Sequence, residues 1–487
     1  MNEHAPGQPA PVSTAFRLSQ RIHALDIIRG LALLGIALMN VEWFTRPMGD
    51  LGSGADPSQT GIHYAASWLV YTLVQGKFVA LFSLLFGMGF AVMLGRAEAL
   101  GRPFVAPYLR RILGLLLLGA AHYLLIWTGD ILQSYAVAAL ALLLVVRRSW
   151  KTWGVLLLSL GLAAALSQDE SVVTAVALLL LAGVLMFFLH RGSLARYWKW
   201  GMVLYALPFV IAISMASVQS VQKMAGYAEP PAAEDVEQRL QRQAEDRQAR
   251  AEEIRVLGSG SYGEALAYRA EQYVEELPMT IGGSFGALPM FLIGFWFIRA
   301  GIISDIENHR AVFRRLLTRV LPLGLVLTAI SVGLYSHFGP APPEGRDPVQ
   351  WLAGALFQLA ALPTAMGYFG ALVLLLQTRW GQRVLAPLRH AGQMALSNYI
   401  GMSLAGTWFF SGYGLGYYGQ LGRASQLLFV LLVFALQVLL SRWWLQRFHY
   451  GPLEWAWRAF TQWTLPAMRR QAAVPDADSP EAPTVIA

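Results

Sequence analysis

Apolar residues along this chain come in long unbroken blocks separated by short polar connections, without the one-sided striping of helices that lie on a soluble core. A helix needs about 20 consecutive apolar residues to cross a bilayer, so blocks of this kind predict transmembrane helices. Twelve spans are expected, over roughly 27–44, 77–95, 112–128, 131–146, 153–167, 172–189, 200–217, 280–298, 319–337, 351–376, 390–411 and 424–441. The stretch 62–76, "IHYAASWLVYTLVQG", is aromatic-rich but short, and is predicted as an interfacial or re-entrant segment leading into the second span. Transmembrane β-strands alternate polar and apolar residues, and "LLFVLLVFALQVLL" (427–440) does not, which excludes a barrel. The expected fold is therefore all-α: a polytopic transmembrane helix bundle with one extracytoplasmic helical insert.

Composition sharpens this picture. With 56% hydrophobic and 14% charged residues, the chain is no soluble multidomain enzyme. It has no cysteine, so disulfides, thiolate metal sites and a cysteine nucleophile are ruled out. The net charge of +8 follows from arginine-rich connections, and no basic patch with interleaved aromatics calls for nucleic acid. Those connections hold Arg96, Arg102, Arg110 and Arg111, then Arg147 and Arg148, Arg191 and Arg196, Arg299 to Arg319, and Arg379 to Arg389. All fall on one side of the predicted topology, which the positive-inside rule makes cytoplasmic, with both termini beside it. The expected location is the bacterial inner membrane, with the first span retained. The predicted organisation is a tail over 1–24, an N-terminal bundle over 25–217, an insert over 218–279, a C-terminal bundle over 280–450, and an interfacial helix with a polar tail over 451–487. Mixed charges at helical spacing in the insert, such as Asp246 four residues before Arg250, predict a solvated helix that caps the bundle.

Candidate chemistry starts with "GAAHYLLIWTGDILQSYAVAAL" (119–140). Of nine histidines only His122 lies well inside a predicted span. Ionisable residues there are costly and tend to be functional, although a histidine can also serve as a plain interhelical hydrogen-bonding group. Asp130 stands in the two-residue break before the next apolar run, where it can cap the following helix or, if the turn folds inward, orient the imidazole eight positions earlier. Lys77 enters the second span from outside, placed either to snorkel or to bind an anion. Asn40 and Glu42 approach the same outer surface and are candidates to line a shared pocket. Asp26 and Arg29 open the first span, as N-cap and snorkelling anchor or as organisers of a cytoplasmic entrance. No second histidine or carboxylate has ligand spacing to His122, so no metal is expected.

The stretches "LDIIRGLALLGIALMN" (25–40), "GKFVALFSLLFGMGF" (76–90), "HYLLIWTGDILQSYA" (122–136), "GQMALSNYI" (392–400) and "GPLEWAWR" (451–458) together resemble the YeiB-like family of uncharacterised bacterial inner-membrane proteins. Gln393 stands where that family's pattern has arginine, so the resemblance carries no anion-binding role to that position. It does direct attention to Asn398 and Tyr399 as substrate-binding candidates. The opening "LD-x-x-RG" is similar to that of multispanning acyltransferases, which implies acyl transfer from a cytoplasmic donor such as acyl-CoA to a sugar or lipid at the outer face. On that reading His122 is the general base or a transient acyl acceptor, Asp130 its orienter, and Lys77 and Asn40 stabilise the oxyanion or position substrate, with membrane lipids as the surrounding partner. The alternative is a carrier or exporter of a small molecule or lipid, favoured by Gly-rich breaks such as "FGMGF" and disfavoured by the lack of mid-span carboxylates.

Overall fold

Within hydrocarbon every backbone N–H must find its acceptor in the same segment or in a closed barrel, and the apolar blocks of this chain answer with helices. The structure is a computed structural model that describes residues 14–47, 59–147, 154, 193–226, 233–338 and 348–470. In chain order the helices are α1 (Thr14–Asn40), α2 (Gly61–Leu73), α3 (Lys77–Ala99), α4 (Val105–Leu125), α5 (Leu132–Arg147), α6 (Ala195–Met224), α7 (Ala233–Ser259), α8 (Tyr262–Ser284) and α9 (Leu288–Arg299). There follow α10 (Arg310–Arg315), α11 (Leu321–Phe338), α12 (Pro348–Leu375), α13 (Arg379–Leu385), α14 (Leu388–Gln393), α15 (Ala395–Phe410), α16 (Arg423–Arg447) and α17 (Pro452–Gln462). Among the described residues the sole β pairing is an isolated bridge between Phe448 and Arg469, so the all-α expectation holds.

Eight helices among the described residues are long and apolar enough to cross a membrane, against twelve expected from the pattern. The predicted spans 153–167 and 172–189 lie outside the described residues. The predicted span 131–146 is an apolar helix, Leu132–Val146, that is shorter than the other eight. The predicted span 390–411 is interrupted at Met394, whose φ of −109° and ψ of 36° separate α14 from α15. Residues 62–76 form α2 and a turn that leads straight into α3 through Gly76 at φ 77°, and α2 packs on α16.

The restart of α15 is supported from a distant part of the chain. Glu454 of α17 accepts the Leu396 and Ser397 N–H groups at 2.7 and 3.0 Å and the Ser397 hydroxyl at 2.5 Å, satisfying donors that a helix start leaves free. Burial raises the Glu454 carboxyl above the usual carboxylate range, and these donors work against that shift. Two of the stretches that carry the family resemblance, 392–400 and 451–458, thus meet in one cap. Beside it, Gly30 of α1 and Gly392 of α14 bring two backbones together, since a Cβ on Gly392 would stand 2.9 Å from the Gly30 nitrogen.

The bundle has two distinguishable ends. Arg29, Arg111, Arg389 and α17 gather at one, near the start of α4 and the end of α14. The α4–α5 turn, residues 41–46, and the connection between α15 and α16 gather at the other, where the Gly412 N–H also bonds the carbonyl of Leu257 at the end of α7.

Candidate functional site

Helix α4 ends one turn beyond His122, where the Ile126 and Trp127 N–H groups both return to the His122 carbonyl at 2.9 Å. The chain then turns inward, and the Asp130 carboxylate uses its two oxygens separately. Oδ2 accepts the Gln133 N–H at 2.9 Å, which caps the start of α5, and Oδ1 lies 2.9 Å from His122 Nδ1. One carboxylate thus reaches both the start of α5 and the imidazole, the two contacts foreseen as alternatives. Gly119, one turn before His122, makes this possible, because a Cβ there would sit 2.7 Å from Asp130 Oδ2 and 2.7 Å from Gln133 Cγ.

Both side chains are sealed, with His122 at 1% and Asp130 at 0% exposure. An ionised carboxylate only accepts, so in the neutral imidazole Nδ1 carries the proton and Nε2 keeps a free lone pair. Nε2 is buried and has no hydrogen-bond partner among the described residues. Around it stand the rings of Tyr399 at 5.1 Å and Trp127 at 6.1 Å between centroids. The Trp127 indole N–H is likewise buried without a partner among the described residues. Tyr399 donates to the Gly129 carbonyl at 3.3 Å and lines a cavity of about 10 Å³ with Asn40, Ser403 and apolar residues of α1. That is room for roughly one water.

The other candidates divide. Tyr399 stands against the His122 ring and also lines this cavity, where it meets Asn40; His122 and Asp130 do not line it. Glu42 does not, for it pairs with Arg46 and lies 3.3 Å from Arg423, which is itself 1% exposed and bonds the Leu38 carbonyl, tying α1 to α16. Asn398 bonds the Ala391 carbonyl and Ser441, and its own carbonyl receives Gln437, which makes it a link between α14, α15 and α16. Asp26 is not an N-cap, because α1 already runs from Thr14; it pairs instead with Arg29 at 2.6 Å at the opposite end of the bundle. Lys77 does not snorkel: it is 0% exposed, donates to the Tyr71 carbonyl at 3.3 Å, and lies 3.8 Å over the Phe357 ring. It caps the end of α2, apart from His122. No group of three His, Asp or Glu side chains among the described residues is placed to hold a metal.

A set of residues on α8 was not foreseen. Tyr262 donates to the Leu125 carbonyl, buried Arg269 to the Leu124 carbonyl, Tyr273 to Gln133, and Glu276 accepts from Tyr123, all between 2.8 and 2.9 Å. These four clamp the α4–α5 hairpin and satisfy carbonyls at the end of α4. Their spacing of seven, four and three residues marks one helix face and was readable in the sequence, where the charge alternation of α7 drew attention instead.

Comparison with known proteins gives a family but no chemistry. The family described as "Protein of unknown function (DUF418)" matches residues 297–464. The chain is 30% identical over 458 residues to "Uncharacterized protein YxaH" of Bacillus subtilis, covering 91% of this chain and 94% of that protein. It is 27% identical over 457 residues to "Uncharacterized protein YeiB" of Escherichia coli, covering 91% of this chain and 96% of that protein. No solved structure matches.

Proposed function

We propose that this chain, which belongs to the YeiB-like family, is an integral-membrane acyltransferase with His122 as its base. The observation that carries the reading is the sealed His122–Asp130 pair, whose Nε2 has no hydrogen-bond partner among the described residues. Packing alone needs only a hydrogen-bonding group at this position, whereas a carboxylate-oriented imidazole with a free lone pair is the arrangement a general base requires.

Nε2 takes the proton from an acceptor hydroxyl or amine as its oxygen or nitrogen attacks the acyl carbonyl of a thioester. Asp130 stabilises the imidazolium that forms, and the Trp127 N–H, buried without a partner among the described residues, is the proposed donor to the developing oxyanion. Collapse of the tetrahedral intermediate breaks the C–S bond, and the imidazolium returns the proton to the departing thiolate. The new ester or amide leaves with the acceptor, a sugar or lipid at the outer face, and the donor is of the acyl-CoA type.

One observation favours a carrier instead. The α2–α3 connection interrupts a helical crossing at Gly76 beside a buried lysine, and broken helices with a charged side chain are how many carriers build a binding site. Inverted membrane vesicles given a radiolabelled acyl thioester separate the two. Transfer of label into a lipid or glycan by wild type, and its loss in Asp130→Asn at equal protein level, supports the enzyme. Uptake of an unmodified molecule without any new acyl linkage supports the carrier.

A further inference from the structure

At the opposite end of α4 from His122, three guanidinium groups and a phenol converge with too few acids to neutralise them. Arg111 lies flat on Trp457 of α17, its guanidinium carbon 3.6 Å from the ring centroid, while the Trp457 indole donates to the Arg111 carbonyl at 2.9 Å. Stacking of this kind restrains the guanidinium, and the Arg111 Nε is buried without a partner among the described residues. Tyr108, one turn earlier and 3% exposed, also has a buried hydroxyl without a partner. Arg29 and Arg458 stand close enough to repel the Arg111 charge. Of the nearby acids, Asp26 is engaged by Arg29 and Glu454 is turned into the start of α15. No ion pair among the described residues reaches Arg111 or Arg458.

A planar fork held in place, a second and third cation around it, and a buried hydroxyl donor together ask for a multivalent oxyanion. We propose that Tyr108, Arg111, Arg458 and Arg29 form a binding site for a phosphate group. A soluble phosphorylated acyl donor and an anionic lipid headgroup present the same chemistry. We assign the phosphate to the donor, and that assignment rests on the acyl-transfer reading. Arg111 and His122 are eleven residues apart on α4, about three turns, so they share a face at a separation of about 16 Å. A donor anchored here by its phosphate needs an arm of about that length to bring its acyl carbon to His122.

The full chain in phosphatidylcholine nanodiscs, titrated with inorganic pyrophosphate and followed by thermal unfolding and calorimetry, tests the site. Wild type should bind saturably and melt at a higher temperature, and Arg111→Gln and Arg458→Gln should each bind about tenfold more weakly. Arg111→Lys keeps the charge without the fork and should fall between, which guards against a variant that merely unfolds. His122→Gln should bind pyrophosphate as wild type does, so a failure of the acyl-transfer reading leaves this result unmoved. Nanodiscs containing phosphatidylglycerol form the second arm: stabilisation that depends on Arg111 and is competed by pyrophosphate gives the site to a lipid headgroup and overturns the donor assignment. No response to pyrophosphate in wild type, or an equal response in the Arg111→Gln and Arg458→Gln variants, overturns the phosphate site itself.

Discussion

Asp130 shows how much one side chain can be asked to do when the backbone lets it approach. Its position ahead of an apolar run made a helix cap predictable, and the histidine inside a span made chemistry predictable, but joining the two depends on Gly119. Replacing Gly119 with alanine should push Asp130 and Gln133 off α4 and destabilise the protein by about 1–3 kcal/mol, as overpacking a tight contact does. Unfolding of the purified variant in detergent measures this, and an unchanged midpoint would show that the hairpin adjusts freely. Asn40 and Tyr399 share a cavity, and Tyr399 alone also touches His122, whereas Lys77, Glu42 and Asn398 are spent on a helix end, an ion pair and a three-helix link. Beside its local contacts each has a partner on a helix remote in the chain, Phe357 for Lys77, Arg423 for Glu42 and Ser441 for Asn398, which its sequence neighbourhood does not announce.

Helices were legible where apolar runs were long, and their interruptions were not. Met394 divides one predicted span because Glu454, some sixty residues later, supplies a start for α15, and no local signal announces a cap from so far away. The α8 clamp was equally hidden, since its residues read as ordinary polar positions until they meet the α4–α5 hairpin. Arg269→Met should remove the donor to the Leu124 carbonyl and leave that acceptor unpaired, costing about 1–3 kcal/mol. Hydrogen exchange of the amides over 122–133 should rise in this variant. Arg242→Gln on the exposed α7 should change neither by more than a few tenths of a kcal/mol. Equal protection in both variants would mean that α8 does not brace the site.

Across the whole molecule, acyl transfer at His122 requires its end of α4 to face outward and the arginine-rich end to face the cytoplasm, as the arginine asymmetry of the connections predicts. The absence of cysteine makes that directly measurable. With single substitutions Val105→Cys and Leu240→Cys, an impermeant thiol reagent added to intact cells should label position 240 and spare 105, and the reverse pattern would invert the topology. Acyl transfer at the outer end then demands a product outside the cytoplasm. The most direct measurement is mass spectrometry of the outer-face lipids and surface glycans from a deletion strain carrying wild type, His122→Gln or His122→Leu, with each protein quantified in the membrane. Glutamine keeps the hydrogen bond to Asp130 and removes the base, so the account predicts an acylated species that wild type restores and His122→Gln, present at wild-type level, does not. Full restoration by His122→Gln, with His122→Leu failing to accumulate, would make His122 a structural hydrogen-bonding group and contradict the account.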